Sequence, residues 1–535
     1  MPKEEYGKLY KPGGRIKVAL VFPNSYYLGM SSLGFHVICH ELNQHPDVSC
    51  ERVFFQESDQ TIRSFETQRP LSNFDIIGFS VSFELDYFNI IKILHQAKIP
   101  LKTSERSFRD PLIIAGGICP SFNPEPLSDF IDAFVVGDGE EAINELISEY
   151  QDYQQSNKQE LLLNLSHIKG VYVPSLYEHF YNEDGTIDRI HPQTQIERRI
   201  IELDPFDTIS RILTYGTEFA NTFLVEVSRG CAHRCNFCVG SYVQKCRFRS
   251  ADSIIELTKS DLAGKAQKIG LVGSSVTDHP QIDYIVSSLM NMGRKLTIAS
   301  MRADSVSETM LNALVLSKQE TITLAPEAGS ERLRRSIGKY ISLNVIYEVI
   351  ESAIKKGIKG VKLYFMIGLP TETHEDIESI VSVVADVKKL TQKAKSQHIS
   401  RITISISPFV PKPQTPFQWH PMDDVKILTQ KLNFLKQEIG KLGGVRLTSS
   451  SAKWSIIQGV LSCGDRRLSN ILYDMEIKNL SWDRAFKENN INQEFYVKRH
   501  RRFDEIFPWD QIEPSVPKER LLININLNHT PRGEK

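Results

Sequence analysis

The chain lacks any apolar run that approaches the length of a membrane span, and no secretory leader is read at its polar start. It lacks charge of one sign: 64 Lys+Arg against 65 Asp+Glu leave −1, so no global field draws it toward nucleic acid or a membrane surface. Internal repeats and low-complexity tracts are missing too. Cysteine is scarce, eight in 535 residues. Cys39, Cys50, Cys119, Cys246 and Cys463 are scattered, as small buried hydrophobes are. These absences argue against a disulfide-stapled secreted module. They leave a globular protein of a reducing compartment, expected in the cytoplasm, 41% hydrophobic and long enough for two to four domains.

The other three cysteines are what is there. Cys231, Cys235 and Cys238 stand in the spacing C-x-x-x-C-x-x-C, just after the β-branched run Thr222 to Val227. Thiolate is the soft ligand of iron–sulfur clusters and zinc. A closed site needs four protein ligands, so three leave a coordination position open for a substrate or cofactor. A zinc site recruiting His233 or Cys246 is the alternative.

With Phe237 before the third cysteine, the motif resembles the signature of the radical S-adenosylmethionine (SAM) enzymes. The resemblance implies a [4Fe–4S] cluster on Cys231, Cys235 and Cys238 whose remaining iron is chelated by SAM, and reductive cleavage of SAM to a 5′-deoxyadenosyl radical. It implies SAM contacts at Phe237, at Gly273, Ser274 and Ser275 (where the family has G-G-E), at Arg302, and at Glu327 on the ribose. It also implies a reductant protein such as flavodoxin or ferredoxin, alongside a substrate the sequence does not name. Nucleic acid is not indicated.

The expected fold is α/β. Residues 1–150 alternate apolar strands (Ile16–Phe22, Arg52–Phe55, Asp75–Phe83, Pro111–Gly117, Ala133–Val136) with helices, which implies a doubly wound, Rossmann-like parallel sheet. Ligands of such sheets bind at the carboxyl ends of strands. This pattern resembles the cobalamin-binding domain of one radical SAM subgroup, and implies cobalamin as a further cofactor. The contacts would be Tyr26 (in place of the usual histidine), Gly29, Ser80, Ser82, Gly116, Gly117, Gly137, Gly139 and Glu140. His36 and His40 read as ordinary helix histidines.

Residues 151–215 read as a connector with a small β hairpin beginning at Gly170–Tyr177. Residues 216–422 carry six βα units, a partial (β/α)6 barrel with its chemistry at the strand carboxyl ends. Residues 423–535 read as a mainly helical region. The proline-dense stretch Ser407–Trp419 is expected to line the cavity or to pack. Lys245, Arg247 and Arg249 form a basic set near the cysteines, and Lys498–Arg502 reads as a solvated helix face.

The function expected is a radical SAM enzyme performing cobalamin-associated methyl transfer or rearrangement. The alternative is a methylthiotransferase acting on RNA or a ribosomal protein. That class usually has three further close-spaced cysteines, which this chain does not have. A non-enzymatic cofactor- or RNA-binding protein would leave three thiolates and an open metal position unexplained.

Overall fold

The computed structural model describes residues 4–153, 157–393 and 401–529. They form two compact units. The first is the chain up to Asn221 with Val460–Tyr496 and Arg501–Ser515. The second is Thr222–Gly459 with Val497–His500 and the residues from Val516 on.

The first unit is built on a six-stranded sheet in the order Val48–Phe54, Ile16–Phe22, Ile76–Ser80, Leu112–Gly116, Ala133–Val135, Val171–Tyr172. The first five strands are parallel and the last is antiparallel. This is the doubly wound sheet read from the sequence, with its switch point between Ile16–Phe22 and Ile76–Ser80. Both faces are covered, so Ile16–Phe22 is buried along nearly its whole length and does not alternate. The connector belongs to this unit. Gly170–Tyr177 does not open the hairpin; Val171–Tyr172 extends the sheet, and the hairpin is Glu178–Tyr181 with Ile187–His191. Both runs are short and β-branched or aromatic, and periodicity alone does not choose a partner for either.

The second unit carries parallel strands in two sheets. Thr222–Glu226, Lys268–Val272 and Leu296–Ile298 form one. Thr321–Glu327, Gly360–Ile367, Arg401–Pro408 and Val445–Ser449 form the other. Among the described residues a parallel bridge, Met301 with Leu324, joins them. The six expected strands are present. A seventh, Val445–Ser449, extends the expected (β/α)6 barrel; its apolar signature is only Val445 and Leu447, after two glycines. Helix Val425–Leu442 leads into it and buries Leu428, Leu432, Leu435 and Ile439.

The residues expected as one helical C-terminal region are shared between both units. Lys498–Arg502 is not helical. Lys498 pairs with Asp424 at 2.6 Å and Arg501 is buried, donating to the Tyr496 carbonyl. Desolvated cations need such partners, which a solvated face would not.

Candidate active site

The cysteine loop leaves the carboxyl end of Thr222–Glu226, the active end of a parallel barrel. A short antiparallel pair, Ser228–Arg229 with Arg247–Phe248, closes its base. Gly230 follows at φ +75°, where a Cβ would stand 2.6 Å from the Lys245 carbonyl oxygen, so glycine is required. Buried Arg249 donates from Nε to the Glu226 carbonyl at 3.1 Å, and His279 Nε2 meets the Arg249 carbonyl at 2.8 Å. Arg249 therefore ties the loop to its strand.

Asn236 anchors the loop from the other side. Its N–H donates to Ile337 O at 2.9 Å, its Nδ2 to Ser336 O at 3.0 Å, and its carbonyl accepts from Phe417 N–H at 3.0 Å. Phe237 packs against Ala328, Leu333, Ile337, Leu369, Phe409 and Phe417. The proline-dense segment thus backs the cysteine loop. His233 Nε2 stands 2.7 Å from Asp278 Oδ2, a further pin.

Cys231, Cys235 and Cys238 line one cavity with Phe237, Ser274, Ser275, Arg302 and Glu327. Its volume is about 240 Å³, many times the roughly 10–15 Å³ that one water needs. Among the described residues, no three His, Cys, Asp or Glu side chains close around a single metal ion. Three soft thiols on one cavity, with a coordination position left open, fit an iron–sulfur cluster as their donor chemistry requires. Burial pushes the Cys235 thiol up to about 11 and raises Cys238 as well. Metal loading must therefore release protons.

Gly273 is not among the cavity-lining residues. A Cβ there would stand 2.4 Å from Ser228 Oγ, so it serves the close approach of two strand ends. Ser274 and Ser275 do line the cavity, and Ser275 Oγ is buried with no hydrogen-bond partner, an orphaned donor facing the space a ligand would fill. Arg302 lines it too, with its guanidinium held by Asp304 at 2.8 Å.

Glu327 sits at φ +68°, past a bulge in its strand, and its Oε1 lies 3.0 Å from Lys339 Nζ. A non-glycine residue held there costs of order 1–3 kcal/mol, a cost concentrated at functional sites. Lys339, buried and lining the same cavity, escaped the sequence reading. Its only local signal is Gly338, left-handed at φ +72° just past the helix Glu331–Ser336.

Two family models match parts of the chain: "Radical SAM proteins, N-terminal" over residues 34–174 and "Radical SAM superfamily" over 225–384. An uncharacterized protein of Methanocaldococcus jannaschii is 30% identical over 92% of this chain and 98% of its own length. The chain belongs to the radical SAM superfamily. An uncharacterized methyltransferase of Pyrococcus horikoshii is 24% identical over 65% of this chain and 72% of its own. Among solved structures, the radical SAM methyltransferase TsrM of Kitasatospora setae, with cobalamin and a [4Fe–4S] cluster bound, is 14% identical, covering 74% of this chain and 75% of that one at a TM-score of 0.48.

In this radical SAM protein the cobalamin contacts expected in the first unit divide. Ser80, Ser82 and Gly116 lie accessible or half-buried near the switch point. Tyr26 turns inward, its hydroxyl bonded to Glu5 and its ring against Phe54 and Phe65. A Cβ on Gly29 would stand 2.6 Å from the Phe54 ring. One on Gly117 would stand 2.5 Å from Val81 O, and one on Gly137 2.2 Å from Arg199 O. A Cβ on Gly139 would meet Ile38 at 3.0 Å, and Glu140 is buried. The chain's own residues thus take up the Cβ side of Gly29, Gly117 and Gly137, while Gly117 itself stays exposed. His36 is a satisfied core histidine, as expected, with Nε2 3.1 Å from Met30 O.

Proposed function

We propose that this protein is a radical SAM enzyme that transfers a methyl group to, or rearranges, a substrate bound at the cavity beside Cys231, Cys235 and Cys238. The convergence of these cysteines with Ser275, Glu327 and Lys339 on one cavity supports this reading. When bound, the cluster supplies the electron that cleaves SAM to a 5′-deoxyadenosyl radical, and a reductant protein such as flavodoxin or ferredoxin supplies that electron in turn. The chain's own part is to bind and orient. Glu327 accepts hydrogen bonds from ribose hydroxyls, Lys339 faces the carboxylate of the methionine end, and Ser274 and Ser275 hydrogen-bond its polar groups. Phe237 and its aromatic backing exclude water from one side. The likeness to a methyltransferase supports methyl transfer.

Cobalamin belongs to this proposal at the switch point, with Ser80, Ser82 and Gly116 as its contacts. Tyr26, its hydroxyl engaged by Glu5, would not be free to contact a corrinoid bound there. The methylthiotransferase reading fits less well. Cys39 and Cys50 lie buried with their sulfurs 3.9 Å apart in an apolar core, which leaves no exposed trio for a second cluster. The test is anaerobic reconstitution with iron, sulfide and hydroxocobalamin. About four irons and one corrinoid per chain are expected; about eight irons would favour the methylthiotransferase, and no corrinoid at micromolar concentration would move the reaction to a cobalamin-independent one.

A further inference from the structure

Packed (β/α) barrels fill their interior with branched aliphatic side chains. The four-stranded sheet of this barrel does the reverse. Its buried positions are apolar: Val361, Leu363, Phe365 and Ile367 on one strand, Ile402, Ile404 and Ile406 on the next. The alternate positions, on the opposite face, are half-buried and mostly polar. Register places Thr323, Lys362, Thr403 and Arg446 in one row, and Tyr364, Ser405 and Thr448 in the row above. The half-buried, mostly polar face is the one open to solvent or ligand.

Two cations stand in this face. Lys362 Nζ lies 4.7 Å from the centroid of the Tyr364 ring, which holds the ammonium along the wall. Arg446 is exposed on the edge strand, separated from Lys362 by Thr403 alone in the row. Among the described residues no ion pair joins either cation to a carboxylate, whereas Lys339 and Arg302 in the cavity above are each paired with one. An ammonium and a guanidinium flanking a hydroxyl recognise an oxyanion, the ammonium as a point charge and the guanidinium as a two-pronged donor.

We propose that this wall binds the substrate and that the substrate is a small molecule bearing an oxyanion, carboxylate or phosphate, held between Lys362 and Arg446 with its body along Tyr364, Ser405 and Thr403. The proposal rests on reading the cavity above as the radical centre. Met366, four residues on from Lys362, packs with the cluster of side chains that holds Phe237, and four strand residues rise about 13 Å, so the wall runs from Lys362 toward the cysteine loop.

Acetylation of the cluster-loaded full chain, read at Lys362 by mass spectrometry, tests it. Inorganic pyrophosphate and citrate serve as separate probes at millimolar concentration. At least one should slow acetylation of Lys362 about fivefold or more, and Arg446→Gln should remove the protection while Arg446→Lys keeps part of it. Protection by pyrophosphate alone assigns a phosphate, and by citrate alone a carboxylate. No protection by either in the unaltered chain, or protection that survives Arg446→Gln, overturns the proposal. A chain that never holds a cluster yet shows protection keeps the wall and rejects the radical reading; a loaded cluster beside an unprotected Lys362 does the opposite.

Discussion

Glu327 and Lys339 form an ion pair at 3.0 Å, both side chains largely buried, inside the cavity that the three cysteines line. The pair comes from two places in the chain, a left-handed strand end and the turn after a short helix. Each charge keeps the other affordable in a desolvated site, and each is a donor or acceptor for a zwitterionic ligand.

Removing one partner should therefore be felt in cofactor binding. Glu327→Gln and Lys339→Met are each expected to weaken SAM binding by about 1.5–3 kcal/mol, ten- to a hundredfold. Equilibrium dialysis with the cluster-loaded chain measures this. An unchanged Kd for either variant takes that residue out of the site.

The three cysteines should act as a unit. Cys231→Ala, Cys235→Ala or Cys238→Ala is expected to abolish the visible absorbance of the reconstituted cluster and the reductive cleavage of SAM. Full cleavage by any one of them disproves the assignment. Cys246→Ala should retain both.

Acid should destabilise the first unit through His36. Burial lowers its pKa to about 4 from an ordinary 6.5. The folded state holds the ring neutral while the unfolded chain takes up a proton as pH falls below 6.5. Stability is thus fully present above about 6.5 and is lost toward pH 4, by on the order of 3 kcal/mol. Denaturant titrations at pH 7 and pH 4.5 report it. His36→Gln should flatten that dependence, and an equal slope in the variant would rule His36 out as its source.

Gly137 offers a test of the sealed corner. It sits at φ +101°, against the Arg199 backbone. Gly137→Ala should cost about 1–3 kcal/mol from the left-handed backbone alone, and more from the clash. Thermal unfolding of the variant checks it; an unshifted Tm would mean that Arg199 does not occupy the corner.

Much of this was legible beforehand. Cys231, Cys235 and Cys238 are a local motif, so their spacing singles them out as candidate ligands without a fold, and the structure sets them on one cavity. The strands Ile16–Phe22 and Gly360–Ile367 have the bounds expected, because apolar runs bounded by turn residues are local signals too. Val445–Ser449 was not read, since its two apolar residues, Val445 and Leu447, make too short an alternation to stand out. At Gly273, Gly117 and Gly137 the chain itself comes close on the side a Cβ would occupy; glycine marks close approach, and the sequence does not say what approaches.

The sequence by itself determined the parallel α/β class and the place of the three cysteines after the first barrel strand, since each follows from residue type and short-range period. Only the tertiary structure decided that Lys339 meets Glu327, that Asn236 fastens the cysteine loop to Ile337 and Phe417, and that Arg199 closes the corner beside Gly137. These pairings join residues from 12 to 181 positions apart. Their partners are chosen by packing and by the need to satisfy buried charge and backbone groups, neither of which leaves a period in the sequence.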